Sequence, residues 1–402
     1  FRRVLFRSHW NEGQLQTQQQ KRGRRDQSRS AVFSLRDHTL KVTGDDTVEQ
    51  VRPIRPDASL GLGSDEQPYE KATQWDGRYA DVYLVDIQKG VRTKVLERLR
   101  TSPTNSPNGR YLIWFGPDYH WWTMDTATQQ KRDLTASLAV PFHQFDDDHP
   151  EPDPAFGLAG WTEKDESVVL YDEFDLWQIW PATGAAVCIT DGFGRQNHLR
   201  LRVQPLPRDD DDDEGALPKQ LLLTANDTET MAEGFYADAI GENRPPQRLV
   251  MMDKNLAGLT KAKKADRYVL TVGTFAEFPD LWACDTKFAG MRRLSDANPQ
   301  QKDFAWGKAE LAQWVNADGV KLKGVLIKPD GFDPKKKYPM LVYFYEKSSQ
   351  NLHNYVAPAP GTSPNASYYV SNGYLFFMPD IVYQVGYPGE SCVKCVVSGV
   401  QS

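Results

Sequence analysis

The sequence predicts a mainly β fold. Three observations carry that prediction: short apolar runs bounded by Asp, Gly, Pro and Thr turns, their recurrence at a period of about forty residues, and connectors without helical periodicity. The clearest unit follows the turn Ser106-Pro107-Asn108-Gly109 with Tyr111 to Trp114, then Trp121 to Asp125, then a run ending at Leu134-Thr135. Before it, Asp81 to Asp86 precedes a turn at Lys89-Gly90. After it, Ser167 to Tyr171 and Asp175 to Trp180 lead to Ile189-Thr190, and Gln220 to Thr224 and Arg248 to Asp253 lead to Leu259-Thr260. The last unit places Arg267 to Val272 and Asp280 to Asp285 before Leu294-Ser295. The corresponding strands of the five units thus end at Asp86, Asp125, Trp180, Asp253 and Asp285. Units that cannot bury both faces alone must stack on their neighbours, which is the logic of β-propeller blades. A tandem of β-sandwiches would share the short strands but leaves the recurring Asp-turn-Thr ending unexplained. Ala31 to Leu35 and Leu40 to Val42 are candidates for a further strand set before Val82, and the propeller is read as partial.

The chain has 402 residues, 40% of them hydrophobic and 11% aromatic, which is enough for two domains. Its net charge of -6 gives no electrostatic reason to expect nucleic acid. The first residue is Phe1, and the opening Phe1 to Ser8 has no apolar run long enough for a signal-peptide core or a membrane span. That opening resembles translated adapter sequence, and with the basic, Gln-rich Gln14 to Arg25 it places a non-native or disordered leader at residues 1–28. The acidic run Asp209 to Glu214 lacks the alternating ligand spacing of a calcium loop and reads as a solvated loop. The four cysteines, Cys188, Cys284, Cys392 and Cys395, are too scattered for a disulfide framework, and their one C-x-x-C has no partner pair. The seven histidines, His9, His38, His120, His143, His149, His198 and His353, show no helical metal-ligand spacing. No cofactor and no metal site is expected.

After the last unit, Asn298 to Gly307 reads as a linker and candidate domain boundary, followed by Ala309 to Trp314 and a turn at Asn316-Ala317-Asp318-Gly319. Two further strands are expected over Val320 to Ile327 and Met340 to Tyr345, the second apolar throughout and therefore buried on both faces. Gly373 to Asp380 reads as another buried strand, Gly386 to Gly389 as a tight turn, and Ser391 to Val400 as the start of a helix. The pattern Trp314, Asp318, Gly319, Leu322, Gly324, Leu326 and Pro329, then Tyr338-Pro339, placed after blades, resembles the prolyl oligopeptidase family of serine peptidases in its dipeptidyl-peptidase and acylaminoacyl-peptidase branches. The resemblance covers roughly Tyr79 to the end.

That resemblance implies a β-propeller over residues 29–300 and the first strands of an α/β-hydrolase domain over 301–402. It implies a serine exopeptidase that cleaves short peptides through an acyl-enzyme, with peptide as the partner and a homodimer as one state of the intact protein. A periplasmic or secreted location goes with the same likeness. The family's nucleophile sits in a G-x-S-x-G turn, and no serine here meets that pattern: Ser391 has Gly389 before it but Val393 after it, and Ser64 and Ser398 also fail. The resemblance places serine, aspartate and histidine beyond Ser402, so the fragment itself is expected to be inactive. One family residue falls within the chain. Tyr345 aligns with a tyrosine whose hydroxyl donates into the oxyanion hole, although Glu346-Lys347-Ser348 replace the small residues and proline of that branch. The alternative for Tyr345 is a buried strand tyrosine beside Tyr343 and Phe344. Asp172-Glu173 stands in a blade without matching the flanks of the family's amine-binding acidic pair. The alternative for the whole chain is a non-catalytic propeller binding module with a degenerate hydrolase-like tail.

Overall fold

The computed structural model describes residues 29–55, 57–207 and 215–402; the leader at 1–28 and the acidic run Asp209 to Glu214 lie outside the described residues. β1 (Ala31–Ser34) and β2 (Thr39–Val42) form an antiparallel hairpin, the further strand set expected before Val82. Five four-stranded antiparallel sheets follow in chain order. The first holds β3 (Val51–Pro53), β4 (Leu60–Asp65), β5 (Ala80–Asp86) and β6 (Arg92–Leu99). The second holds β7 (Thr104–Asn105), β8 (Tyr111–Phe115), β9 (Trp121–Asp125) and β10 (Lys131–Asp133). In the third are β11 (Leu158–Trp161), β12 (Val168–Tyr171), β13 (Leu176–Ile179) and β14 (Ala186–Cys188). The short helix α1 (Phe193–Gln196) leads to the fourth, made of β15 (Leu199–Val203), β16 (Gln220–Asp227), β17 (Glu233–Ala239) and β18 (Gln247–Met252). The fifth comprises β19 (Asn255–Lys261), β20 (Arg267–Gly273), β21 (Asp280–Asp285) and β22 (Arg292–Arg293). In each sheet, strands adjacent in sequence are adjacent in space.

The apolar cores lie between these sheets, as propeller blades require. On β8, Tyr111, Ile113 and Phe115 pack with Trp161, Val168 and Leu170 of the third sheet, while Leu112 and Trp114 pack with Val82 and Leu84 of the first. On β12 the same split occurs: Val168 and Leu170 face the second sheet, Val169 and Tyr171 the fourth. Strand residues alternate between faces, so a strand buried on both reads as a continuous apolar run. Phe235 extends the stacking to Leu256, Tyr268 and Leu270 of the fifth sheet.

The recurring Asp and Thr have separate jobs. At the hairpin after the third strand, Asp125 Oδ1 accepts from the Ala127 and Thr128 amides at 3.0 and 2.8 Å, and Asp86 does the same for Gln88 and Lys89. These are Asx turns, which give the tight connection its side-chain acceptor. The terminal Thr or Ser accepts from the amide fourteen residues earlier, at the start of the third strand: Thr135 from Trp121, Thr190 from Leu176 and Ser295 from Leu281.

The fourth unit departs from the sequence reading. Its third strand is Glu233–Ala239, Arg248 to Asp253 is the outer strand, and Leu259-Thr260 belongs to the next sheet. Residues 233–239 (EGFYADA) carry the strand-forming pair Phe235-Tyr236 but no β-branched side chain, and Gly, Ala and Asp around that pair dilute the signal. A Cβ on Gly234 would stand 2.2 Å from the Val250 carbonyl oxygen.

A sixth sheet follows, with β23 (Lys308–Val315), β24 (Lys321–Lys328), β26 (Leu375–Pro379) and β25 (Met340–Val342) in that spatial order. β25 and β26 run parallel, and α2 (Ala366–Ser371) lies between them in the chain. α3 (Pro388–Gln401) begins within the expected tight turn, three residues before Ser391. Two glycines lie against Trp314. Its ring would meet a Cβ on Gly324 at 3.2 Å and one on Gly399 at 2.9 Å, and its indole N–H donates to the Ser398 hydroxyl at 3.1 Å. The expected doubly buried strand over Met340 to Tyr345 is not found: it shortens to Met340–Val342, and Tyr343, Phe344 and Tyr345 are exposed. β25 has one neighbour among the described strands, so only one side of it is covered.

Candidate functional site

Parallel strands send their C-terminal loops to the same end of a sheet, and in open α/β sheets ligands bind outside that end. Here the loops after β25 and β26 meet there. The Tyr343 amide continues the parallel pairing to the Phe377 carbonyl at 2.9 Å, and the Tyr383 hydroxyl donates to the Tyr345 carbonyl at 2.7 Å. The Ile381 amide donates to the Glu346 carbonyl at 3.3 Å. Asp380, at the end of β26, accepts from the Ser349 amide and hydroxyl, each at 2.7 Å, which ties down the chain after Glu346-Lys347. Tyr345 itself turns outward, with 75% of its surface exposed. It is therefore not the buried strand tyrosine of the alternative reading.

Against these loops lies a crevice of about 450 Å³, whose other wall comes from the blades. Asp146, Asp147, Asp148 and His149, from the connection between β10 and β11, line one side with Glu346 and Lys347 opposite; Arg200 and Arg202 of β15 contribute from the fourth sheet. Arg200 pairs with Glu173 at 2.9 Å. Arg202 lies over the Tyr171 ring at 4.5 Å and donates to the carbonyls of Asp172 and Glu173, each at 3.1 Å; burial pulls its pKa down. Asp172 accepts from the Trp177 indole and from Arg195, at 3.0 and 3.1 Å. The Asp172-Glu173 pair is thus held by protein partners behind the crevice wall.

Across the crevice, His149 Nδ1 contacts Asp147 Oδ1 at 2.6 Å and its Nε2 lies 3.2 Å from Glu346 Oε1. The bond to Asp147 raises the His149 pKa, helped by the charges of Asp147 and Glu346. The His149 amide, with its ring, lowers that of Asp147. Asp147, Asp148 and His149 bring three donor atoms within 4.8 Å, as do Asp118, His120 and Asp133. Both groups are engaged with protein partners: His120 with Asp133 at 2.8 Å, Asp118 with the Trp122 indole at 3.0 Å, and Asp148 with the Tyr383 amide at 3.1 Å.

Ser391, the nearest approach to a nucleophile motif, is buried and committed within its own turn. Its hydroxyl donates to the Tyr387 carbonyl and accepts from the Gln384 amide, both at 2.9 Å. Ser398 donates to the Lys394 carbonyl at 2.7 Å in α3. His143 stacks on Tyr119 at 4.6 Å, and His198 meets Phe174 edge-on. His353 is buried 3.0 Å from Asp253 without hydrogen-bond geometry, and burial lowers its pKa.

No protein-family model matches the chain, and no curated protein matches it by sequence. Solved structures share its fold. A Bacteroides ovatus protein assigned as a dipeptidyl aminopeptidase IV superposes with a TM-score of 0.55 at 14% identity, over 94% of this chain and 63% of that one. A prolyl endopeptidase, from work on two such enzymes and their inter-domain dynamics, gives a TM-score of 0.51 at 12% identity, over 87% of this chain and 49% of that one. The chain therefore spans under two thirds of the length of either. What the chain shares with both is the fold, a series of four-stranded antiparallel sheets followed by a mixed sheet. Among the described residues, no helix is long and apolar enough to cross a membrane.

Proposed function

We propose that the chain is part of a serine-type peptidase of the prolyl oligopeptidase family, an exopeptidase acting on short peptides through an acyl-enzyme, with serine, aspartate and histidine encoded after Ser402. One observation supports this most directly. The C-terminal loop of β25, tied to the loop after the parallel strand β26, lines a crevice whose other wall is built from blade residues, where a short peptide would reach the hydrolase sheet. The proposed units are a propeller over 29–300 and a hydrolase part over 301–402. Tyr345 is assigned as the oxyanion-hole donor, because its exposed side chain sits on the β25 loop and its carbonyl is fixed by Tyr383.

The test uses the reading frame extended past Ser402. A fluorophosphonate probe is expected to label one serine in a G-x-S-x-G turn, and dipeptide amides are expected to be hydrolysed. Tyr345→Phe should lower kcat by roughly 10² to 10³ with little change in KM. Residues 1–402 alone should stay unlabelled. An extended chain with no such turn, or one that resists the probe, would instead be a propeller binding module with a non-catalytic tail.

A further inference from the structure

The connection between β10 and β11 is longer than a blade needs, and it is built. Its base is closed by Phe156 N–H to Phe142 O at 2.9 Å, Gln144 N–H to Pro154 O at 2.8 Å and the bridge between His143 and Ala155. Phe142 is buried in the core between the second and third sheets, so the base is anchored. The tip is Asp146-Asp147-Asp148-His149. Three of these four residues bond across the crevice to partners about two hundred positions later: Asp146 to Lys347 at 2.5 Å, His149 to Glu346 at 3.2 Å, and Asp148 to the Tyr383 amide at 3.1 Å. Lys347 and Glu346 directly follow Tyr345, and Tyr383 is the residue that holds the Tyr345 carbonyl. One segment thus grips both loops that fix Tyr345.

We infer that the 142–156 hairpin is a strap across the crevice, and that Asp146, Asp148 and His149 are positioning residues for the loop carrying Tyr345. The pairs that form the strap are half exposed, and exposed ion pairs contribute little each and are screened by salt. A contact made of several such pairs can therefore open without unfolding the blade that carries it. Opening would widen the crevice from the side and release the Tyr345 loop.

The charges around His149 set how the strap responds to pH. From its own segment it is faced by Asp146, Asp147 and Asp148, and from the opposite loop by Glu346 and Lys347. Arg200 and Arg202 face the same space from β15. The two carboxylates in contact hold the proton on the ring, Asp147 first. A raised folded-state pKa makes the contribution of His149 complete below its ordinary value of 6.5, and it is lost as pH rises through the raised value. Above that, the Asp146–Lys347 pair remains and the His149–Glu346 contact becomes a neutral ring beside a carboxylate.

Hydrogen exchange of residues 1–402 tests this without any assay of hydrolysis, so its failure is separable from that of the peptidase reading. Protection of residues 343–350, corrected for intrinsic rates, should fall at least about threefold in Asp146→Lys or Lys347→Asp. The charge-swapped double variant should restore it, which also guards against a single variant that folds poorly. In the wild type, protection of 343–350 should step down as pH rises above 6.5, and His149→Gln should abolish the step while leaving the base of the hairpin protected. Unchanged protection in the single variants, failure of the swap to rescue, or a pH step that survives His149→Gln would each overturn the strap.

Discussion

Asp238 sits on β17 with 1% of its surface exposed, its Oδ1 accepting from the Ala239 amide at 2.8 Å and its Oδ2 without a partner. Burial disfavours the carboxylate and pushes its pKa from 3.8 up to about 6. Between those values the folded chain holds a proton that the unfolded chain has released, so stability falls as pH rises through the window and stays lowered above it. Asp238→Asn keeps the shape and removes the charge. Relative to wild type it should gain about 1–3 kcal/mol at pH 7.5 and markedly less at pH 4, read as a shift of the urea midpoint. An equal gap at both pH values would show that ionisation is not the cause. Burial likewise drives the thiols of Cys188 and Cys284 up to about 11, which makes them inert side chains of the sheets.

The blade ending Leu-Thr is a local lock that sequence pattern alone could display but not explain. In the third sheet Thr190 accepts from the Leu176 amide at 3.3 Å and donates to Asp175 Oδ1 at 2.6 Å, and Asp175 also accepts from the Gly194 and Arg195 amides. Ser295 repeats this with Leu281 and Asp280 in the fifth sheet. Each lock joins the start of the third strand to the end of the fourth and satisfies a buried carboxylate. Thr190→Val preserves volume but removes the acceptor of the Leu176 amide and one of the donors to Asp175, and should cost about 1–3 kcal/mol. Thr128→Val, on an exposed turn, should change stability by less than about 0.5 kcal/mol. Equal midpoints for the two variants in chemical denaturation would refute the lock. The fourth unit shows why element-level reading erred: its third strand has the aromatic pair Phe235-Tyr236 but surrounds it with Gly, Ala and Asp, so its strand signal is weaker than that of the longer apolar runs beside it.

At the scale of the whole molecule, the blades and the last sheet share a core. Phe275, at the turn after β20, is buried with Val325, Ile327 and Phe376, and the Trp306 indole donates to its carbonyl at 2.6 Å. Around that sheet, apolar side chains remain exposed: Tyr343 and Phe344 after β25, and Val393, Val397 and Val400 along α3. Exposed apolar side chains and an open strand edge promote association. Residues 1–402 are expected to self-associate with rising concentration in sedimentation, and Val393→Lys with Val397→Lys should reduce this; a wild type that stays monomeric throughout would argue against it. The sequence by itself determined the repeated short strands, the turn residues that separate them and the Trp314-to-Pro329 signature of the last sheet, because those are set by local patterning within a few residues. It also singled out Tyr345, through family likeness alone. Only the tertiary structure decided which runs are third strands, that Tyr345 is exposed, and that Asp146, Asp148 and His149 meet Lys347, Tyr383 and Glu346. Those contacts join residues about two hundred positions apart. Side-chain type records what a residue can bond, whereas the partner is chosen by how the blades stack against the sheet.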